Sequence, residues 1–442
     1  MKSIAKSLLG IAASLMLFTS CSSPVKNTQT KTSSETSTTQ TSTDGPVEIQ
    51  YWYGLGSVAG ETMESIIKDF NESQDEVKVT GVQQSSYDET YQKVQAAIAA
   101  NQPPAVFISG NYSSIASKGI FADIEPYLDE TFDKDDYLDV FMDPAYVDGK
   151  LYGLPAYGTT QVIYYRKDKL EEAGIDPKEA FSSWEKVYET SKKLVDDGVT
   201  TYGHLPMWGP DNLTDIALSN GGKILSDDGT EVLIDSPEWV EAWNFIREQV
   251  YDNKLAKIES GGEGWEYWYR TIDSVMNGQA MSYTGSSGDK GNLDFSIIDS
   301  IPQPGLNGNP AKPQAGALYL VIPEKAGEDE KKAAAKWIQY FTSPEVSAKW
   351  SKAIGYIPVR KSANEVKEYK TFIEENPYAG VPFEQAQTAS PSFVDPTGGQ
   401  ITDELTKAAD KLELQNVDAS EALSEAKENA QAALDKYLSE KK

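Results

Sequence analysis

Residues 47–53 read VEIQYWY, and their apolar and polar side chains alternate as those of a half-buried β-strand do. The segment MESIIKDF at residues 63–70 spaces its apolar side chains by three and four, which is typical of one face of an α-helix. A second strand is predicted at residues 77–82, a second helix at 87–98 and a third strand at 105–109. This order of elements predicts an α/β layered fold with a largely parallel sheet.

The same alternation of strands and helices resumes further along the chain. Further strands are predicted at residues 161–165, 280–283, 295–298 and 317–322. Further helices are predicted at residues 184–195, from Ser236-Pro237 to residue 250, and at 418–438. We find no short internal repeat, so the sequence favours two α/β units over one large unit.

The composition excludes several classes of protein. The chain has 442 residues, of which 68 are acidic and 40 basic, and its formal net charge is −28. Nucleic-acid binding needs clustered positive charge, so no nucleic-acid partner is expected. A single Cys excludes an intrachain disulfide and a thiolate zinc site, and a single His excludes a multi-His metal site. We predict no metal site and no cofactor.

The N-terminal segment has the layout of an export signal. Residues 1–21 combine two lysines, an apolar stretch at 8–18 and the end Thr19-Ser20-Cys21, which resembles the lipobox of bacterial lipoproteins. Cleavage before Cys21 would expose this residue for lipidation, although a plain secretory signal stays possible as an alternative reading. Residues 22–46 are rich in Ser, Thr, Gln and Asn and are predicted to form a disordered tether.

Motifs of catalysis and of nucleotide binding occur only in weak forms. Residues 54–59 fit the pattern G-x-G-x-x-A, but glycines are common in any turn from a strand to a helix. Residues 65–68 match S-x-x-K without the companion motifs of that enzyme class. His204 has no partner visible in the sequence and is interpreted as structural. A glycoside hydrolase needs only two carboxylates, so this alternative stays open.

Aromatic or small polar residues recur where predicted strands end. They are Tyr53, Asn111 with Tyr112, Tyr157, Thr159, Trp208 and Tyr283. In open α/β sheets, ligands bind in the crevice at the carboxyl ends of the strands. Aromatic faces there suit the C–H face of a sugar ring, and polar groups suit its hydroxyls. These residues therefore predict a carbohydrate site.

Several longer stretches together resemble the family 1 extracellular solute-binding proteins, the sugar-capturing subunits of ABC importers. They are VQAAIAANQPPAV at 94–106, YGLPAY at 152–157, IYYRKD at 163–168 with AGID at 173–176, NGQAMS at 277–282, and FTSPE at 341–345 with GYIP at 355–358. Their order and spacing carry the resemblance, which covers nearly all of residues 47–442.

The resemblance implies two α/β lobes joined by three hinge crossings, here near Gln161, Gly316 and Ile354. Lobe 1 would comprise residues 47–161 and 317–355, and lobe 2 would comprise residues 162–316 and 356–442. A ligand would bridge the lobes and stabilise their closure, because its contacts to the second lobe exist only in the closed state.

The implied function is capture of a sugar or oligosaccharide and its delivery to ABC permease subunits, without catalysis. The protein would be a monomer, anchored by its lipid at the extracellular face of the cell membrane. The predicted ligand-binding residues are Tyr53, Tyr87, Asn111, Tyr157, Thr159, Trp208, Tyr283, Ser286, Gly316 and Tyr356. A surface-anchored glycoside hydrolase and a non-transport adhesin or scaffold are the competing classes.

A glycerol-3-phosphate or related polyol-phosphate ligand is the alternative within the family. Ser286 and Tyr356 stand where the glycerol-3-phosphate-binding members use a Ser and a Tyr. However, Asn111 replaces their Glu, and Pro396-Thr-Gly-Gly399 stands near the place of their phosphate-binding Arg. Because a phosphate without a guanidinium or a helix terminus would be poorly held, a neutral saccharide is preferred.

Overall fold

The computed structural model describes residues 45–55, 57–110, 112–116, 118–263 and 265–440. The predicted signal with Cys21, nearly all of the predicted tether and Asn111 lie outside these residues. Among the helices of the described ranges, none is both long enough and apolar enough to cross a membrane.

The chain alternates strands and helices as the sequence predicts. The strands are β1 Val47–Tyr53, β2 Val77–Gln83, β3 Val106–Ser109, β4 Tyr146–Val147, β5 Lys150–Leu151, β6 Gly153–Arg166, β7 Tyr202–Leu205, β8 Ala280–Ser286, β9 Ile298–Ile301, β10 Gln314–Val321 and β11 Ser390–Pro391. The α-helices of the first half are α1 Ser57–Ser73, α2 Tyr87–Ala99, α3 Tyr112–Ala116, α4 Asp139–Met142, α5 Lys167–Glu172, α6 Pro177–Ala180, α7 Trp184–Asp196 and α8 Pro210–Leu218. Those of the second half are α9 Pro237–Tyr251, α10 Glu266–Met276, α11 Glu328–Phe341, α12 Pro344–Ile354, α13 Lys367–Glu375, α14 Val381–Ala386, α15 Gln400–Gln415 and α16 Ala419–Glu440.

The main sheet is mixed, with the strand order β2-β1-β3-β10-β6-β8-β7. The pairs β1–β2 and β1–β3 are parallel, as the predicted βαβαβ order requires. The pairs β3–β10, β6–β10 and β6–β8 are antiparallel. The pairs β7–β8 and β10–β11 are also parallel, but the centre of the sheet is antiparallel, so the expectation of a largely parallel sheet holds only in part.

Most predicted elements are present, and two predictions need correction. The predicted strand at 295–298 is wrong, because the side chain of Asp294 accepts a hydrogen bond from the backbone of Ser296 and turns the chain before β9 begins at Ile298. Helix α15 was not predicted, although it is the longest helix between α1 and α16. The predicted strand at 161–165 is the second half of the longer strand β6.

Two large hydrophobic cores give the molecule two lobes. The first core contains side chains from β1, β3, α1, α11 and α12, including Tyr51, Phe70, Phe107, Trp337 and Trp350. The second contains side chains from α7 to α9 and from α15 and α16, including Trp184, Trp239, Trp243, Leu405 and Leu434. Strand β6 contributes to both, since Tyr157 lies in the first core and Ile163 in the second. A two-lobed α/β architecture follows from this packing.

The segment after α12 stays with the first core for some distance. Ile357 and Val359 are buried there, and Tyr369 packs with Ala363 and Ala348 in a small neighbouring cluster. Helices α15 and α16 belong to the second core. The residue limits of the two lobes that the sequence analysis gives stay a prediction.

Candidate functional site

A cavity of about 870 Å³ lies where the two cores meet along β6. Its first-lobe wall includes Gly54, Ser86 and Tyr87, from the turn after β1 and the start of α2. Thr159, Thr160 and Gln161 of β6, together with Gln314 and Gly316 of β10, line it between the lobes. The second-lobe wall comes from the turn before α8, from α8 itself, from the start of α10 and from the turn after β8.

Tyr87 is one of the aromatic side chains on the first-lobe side of the cavity. Its hydroxyl lies 2.7 Å from the hydroxyl of Tyr157, which is fully buried on β6. Tyr157 in turn stacks on Tyr356, with ring centroids 5.0 Å apart and an interplanar angle of 23°. Tyr356 also lines the cavity. The buried Tyr157 therefore positions two side chains that face the cavity.

Aromatic side chains dominate the second-lobe wall. Trp208 meets Tyr267 edge to face, with centroids 5.1 Å apart and an interplanar angle of 83°. Trp268 contacts Tyr267 and Trp265 at 6.4 Å and 5.9 Å, and 64% of the Trp265 side-chain surface is exposed. The indole of Trp208 donates a hydrogen bond of 2.7 Å to Asp410 on α15, which fixes the ring plane. These faces offer stacking surface to a ligand.

Three carboxylates line the same cavity. Asp289 accepts hydrogen bonds from the Trp268 indole at 3.0 Å and the Tyr283 hydroxyl at 3.1 Å, and burial raises its pKa to about 7. Asp215 accepts from the Gln303 side chain at 2.7 Å and from the Gln314 backbone at 2.8 Å, and burial likewise raises its pKa to about 7. The third, Asp211, lies at the start of α8. Among the lining residues that the structure describes, none is Lys, Arg or His.

Hydrogen bonds join the lobes beneath the cavity. The hydroxyls of Thr159 and Ser287 lie 3.3 Å apart, and Gln385 of α14 donates at 2.6 Å both to the hydroxyl of Thr160 and to the carbonyl of Gln161. The side chain of Gln161 also accepts from Asn212 of α8 at 2.6 Å. This network holds the β6 crossing in the arrangement seen here.

The structure brings six of the predicted site residues together on the cavity wall. They are Tyr87, Thr159, Trp208, Ser286, Gly316 and Tyr356. Three others, Tyr53, Tyr157 and Tyr283, are fully buried and do not reach the cavity. Tyr53 belongs to the first core, and its hydroxyl donates to the exposed Glu64 of α1. Asn111 lies outside the described residues.

Several lining residues were not predicted from the sequence. They are Trp265, Tyr267 and Trp268, together with Asp211, Asp215 and Asp289. The run WEYWY at residues 265–269 is a visible signal, with four aromatic residues in five positions. The three acids have no such signal, because 68 acidic residues are spread over the chain.

The surroundings of His204, the single histidine of the chain, are those of a structural residue. His204 is buried on β7, and its ring nitrogens lie 2.9 Å from the Ser282 hydroxyl and 3.1 Å from the Thr284 hydroxyl on β8. Burial lowers its pKa to about 3, so the ring is neutral at physiological pH. These contacts agree with the interpretation of His204 as a structural residue.

A second cavity of about 660 Å³ lies beside the N-terminus of α15. The sequence-based argument assumed no helix terminus near Pro396–Gly399, and this assumption is wrong, because α15 begins at Gln400. However, the carboxylate of Asp395 already accepts from the backbone of Thr402 at 3.0 Å and of Thr397 at 2.8 Å. The protein itself supplies an anion at this terminus.

Gly54 allows the close approach that shapes the first-lobe wall. A Cβ at this position would lie 2.2 Å from the backbone carbon and oxygen of Ser86 and 2.5 Å from the nitrogen of Tyr87. Ser86 caps α2 by accepting from the backbone of Glu89 at 3.1 Å. A side chain at residue 54 would therefore move the start of α2, and Tyr87 with it.

We expect Gly54→Ala to cost about 1–3 kcal/mol of stability through this overpacking. Ligand affinity should fall about tenfold, because Tyr87 is displaced from the cavity wall. Urea unfolding and titration calorimetry measure the two effects. Gly291→Ala is the matched control, since a Cβ there meets nothing within 4 Å. Equal behaviour of the two variants would contradict the role given to Gly54.

Known proteins resemble this chain in sequence and in fold. Residues 65–376 match the family described as bacterial extracellular solute-binding protein. The sn-glycerol-3-phosphate-binding periplasmic protein of Rhizobium meliloti is 28% identical over 421 residues, which cover 88% of this chain and 94% of the relative.

Two solved structures share the fold. The cyclic α-maltosyl-1,6-maltose binding protein of Arthrobacter globiformis superposes with a TM-score of 0.76 at 19% identity, over 88% of this chain and 99% of that one. UgpB of Mycobacterium tuberculosis in complex with glycerophosphocholine gives a TM-score of 0.74 at 22% identity, over 90% of this chain and 100% of that one. The predicted two-lobed α/β fold is confirmed by these similarities.

Proposed function

The chain belongs to the bacterial extracellular solute-binding proteins, and on this premise we propose that it captures a carbohydrate between its lobes and delivers it to the permease of an ABC importer. One observation carries the proposal. The cavity between the lobes presents aromatic faces from both sides, with hydroxyl, amide and carboxylate groups between them and no cationic side chain among its described lining residues.

The arrangement of these groups suits a saccharide. Sugar rings have an apolar C–H face and a rim of hydroxyls, so they need a stacking plane together with nearby donors and acceptors. Tyr87 and Tyr356 supply planes on one side of the cavity, and Trp208 and Tyr267 supply planes on the other. Gln161 lies on β6 between them with a side-chain amide.

Capture would work through lobe closure. A saccharide touching Tyr87 on the first lobe and Trp208 on the second would gain its contacts to both only when the lobes are close together. Its binding therefore shifts the equilibrium toward the closed form, which the permease would recognise. The lipid anchor at Cys21 and the monomeric state stay predictions.

Glycerol-3-phosphate or a related polyol phosphate is the second candidate. The name of the Rhizobium meliloti relative and the position of Ser286 and Tyr356 on the cavity wall favour it. The charge of the cavity opposes it, because a phosphate dianion needs a cationic or N–H-rich partner. Asp211, Asp215 and Asp289 would instead face the phosphate.

Native mass spectrometry of the gently purified protein tests the proposal. We expect one retained ligand of saccharide mass per chain. A panel of mono- and oligosaccharides should then raise the melting temperature, since a ligand at 100 times its Kd adds about 2.7 kcal/mol of stability. A shift with sn-glycerol-3-phosphate and none with any saccharide would overturn the proposal in favour of the second candidate.

A further inference from the structure

Asp211 is the most accessible carboxylate in the cavity. It is the second residue of α8, and its side chain is exposed on the cavity surface. Among the described residues, the amide of Gln161 is the one hydrogen-bond donor that reaches it, at a distance of 3.5 Å. Asp211 thus has unused capacity to accept hydrogen bonds from a ligand.

Two aromatic rings flank this carboxylate. Trp208 precedes α8 by two residues, and Tyr267 meets it edge to face on the cavity wall. Burial and the nearby carboxylates of Asp211 and Glu413 raise the pKa of the Tyr267 hydroxyl. Aromatic faces beside a carboxylate are favourable surroundings for a cation, which interacts with the ring quadrupole as well as with the charge.

Two further acidic side chains stand behind Trp208. Asp410 accepts from the Trp208 indole, and Glu413 accepts from the backbone of Gly209 at 2.9 Å. Burial raises the pKa of Glu413 well above its usual value, and its second oxygen has no hydrogen-bond partner. The backbone N–H of Gly209, just before α8, is therefore already used by a carboxylate of the protein.

These acidic groups form no ion pair with any Lys or Arg that the structure describes. Across the described residues, the ion pairs of the molecule include none of Asp211, Asp215, Asp289, Asp410 and Glu413. Lys407 pairs with Glu404 and Lys411 with Glu425, and Lys290, which follows Asp289, donates to the backbone carbonyl of Lys352. Within the described part of the chain, the carboxylate of Asp211 is therefore left without an ionic partner on the cavity wall.

We propose, resting on the carbohydrate function above, that the ligand is a saccharide carrying an ammonium group, bound with that group at Asp211 between Trp208 and Tyr267. The ammonium would donate to the free oxygens of Asp211, and its charge would lower the cost of keeping the buried acids ionised. A neutral saccharide would obtain the same stacking without this pairing. An anionic ligand would be repelled by the wall.

Titration calorimetry with matched oligosaccharides tests the proposal. Glucosamine oligomers of two to four rings are compared with the N-acetylated oligomers of the same length, in which a neutral and larger acetamido group replaces each ammonium. The wild-type protein should bind the amine form at least about tenfold more tightly. Raising NaCl from about 0.05 to about 0.5 M should weaken the amine form and leave the acetylated form nearly unchanged.

Asp211→Asn should remove the preference for the amine form, because it deletes the charge and keeps the size of the side chain. Asp273→Asn is the matched control, since Asp273 is an exposed acid on α10 that does not line the cavity. Thermal melts of both variants without ligand check that they fold. Equal affinity for the two oligomer forms, or an unchanged preference in Asp211→Asn, would overturn the proposal.

The outcomes also separate this proposal from the function on which it rests. Neutral saccharides that bind while the amine forms do not would overturn the charge assignment and support carbohydrate capture. Binding of sn-glycerol-3-phosphate with no binding of any saccharide would overturn both.

Discussion

Trp208→Ala is expected to weaken saccharide binding about 100-fold, the largest loss of affinity for a single truncation in the cavity. The indole lies on the cavity wall, and its orientation is fixed by Asp410 at 2.7 Å and by the edge-to-face contact with Tyr267. A ring that is already held in place loses little freedom on binding, so most of its stacking energy appears as affinity. The truncation also frees Tyr267 to move.

Titration calorimetry with the saccharide identified by mass spectrometry measures this loss. Trp52→Ala is the matched control, because Trp52 is a half-buried tryptophan on β1 whose indole donates to Gln50 and which does not line the cavity. It should bind as the wild type does. Unchanged affinity in Trp208→Ala would remove this residue from the site, and an equal loss in both variants would indicate a general effect on folding.

The fold could be predicted because its elements are encoded locally. The apolar stripe of α1 needs only the spacing of Met63, Ile66, Ile67 and Phe70, and all four side chains are buried. Helix α15 carries a similar signal, with buried residues at 401, 405, 408, 409 and 412. The glycine pair Gly398-Gly399 directly before it is a helix-start signal as well as a turn signal.

The misplacement of Tyr53 has a physical reason that the sequence also contains. Side chains alternate along a strand, so Ile49, Tyr51 and Tyr53 share one face of β1. That face packs on the first core, and all three are buried. The position of Tyr53 at the end of the strand indicated a cleft residue, whereas the alternation places it in the core. Packing along the whole strand decides which face is buried, so the alternation predicts the burial of Tyr53 better than its position at the strand end does.

The acidic part of the site could not be predicted, because it is assembled from distant segments. Trp208 and Asp410 are 202 residues apart, and Gly209 and Glu413 are 204 residues apart. Neither pair shows a local pattern, and only the packing of α15 on the second core brings them together. These acidic side chains thus come together with Trp208 only in the tertiary structure. Some aromatic residues of the cavity, in contrast, could be predicted from their positions at strand ends.

Trp337→Ala is expected to lower the free energy of unfolding by about 3–5 kcal/mol. The side chain is fully buried in the first core, with ring centroids 5.5 Å from Tyr51 and 5.3 Å from Phe70. Truncation removes its apolar surface and leaves a cavity, and these rigid aromatic neighbours cannot close around it. Because Trp337 does not line the ligand cavity, the folded fraction should keep the wild-type affinity.

Urea unfolding of ligand-free protein measures the change, with Trp265→Ala as the matched control. Trp265 is 64% exposed, so its loss should change stability by less than about 0.5 kcal/mol. Trp337→Ala therefore tests the core, because it should lose stability and keep its affinity for the ligand. Trp208→Ala tests the site, because it should lose affinity and keep its stability. Because Trp337 does not line the ligand cavity, the first core and the ligand site are expected to be separate. A loss of affinity in Trp337→Ala with unchanged stability would contradict this expectation.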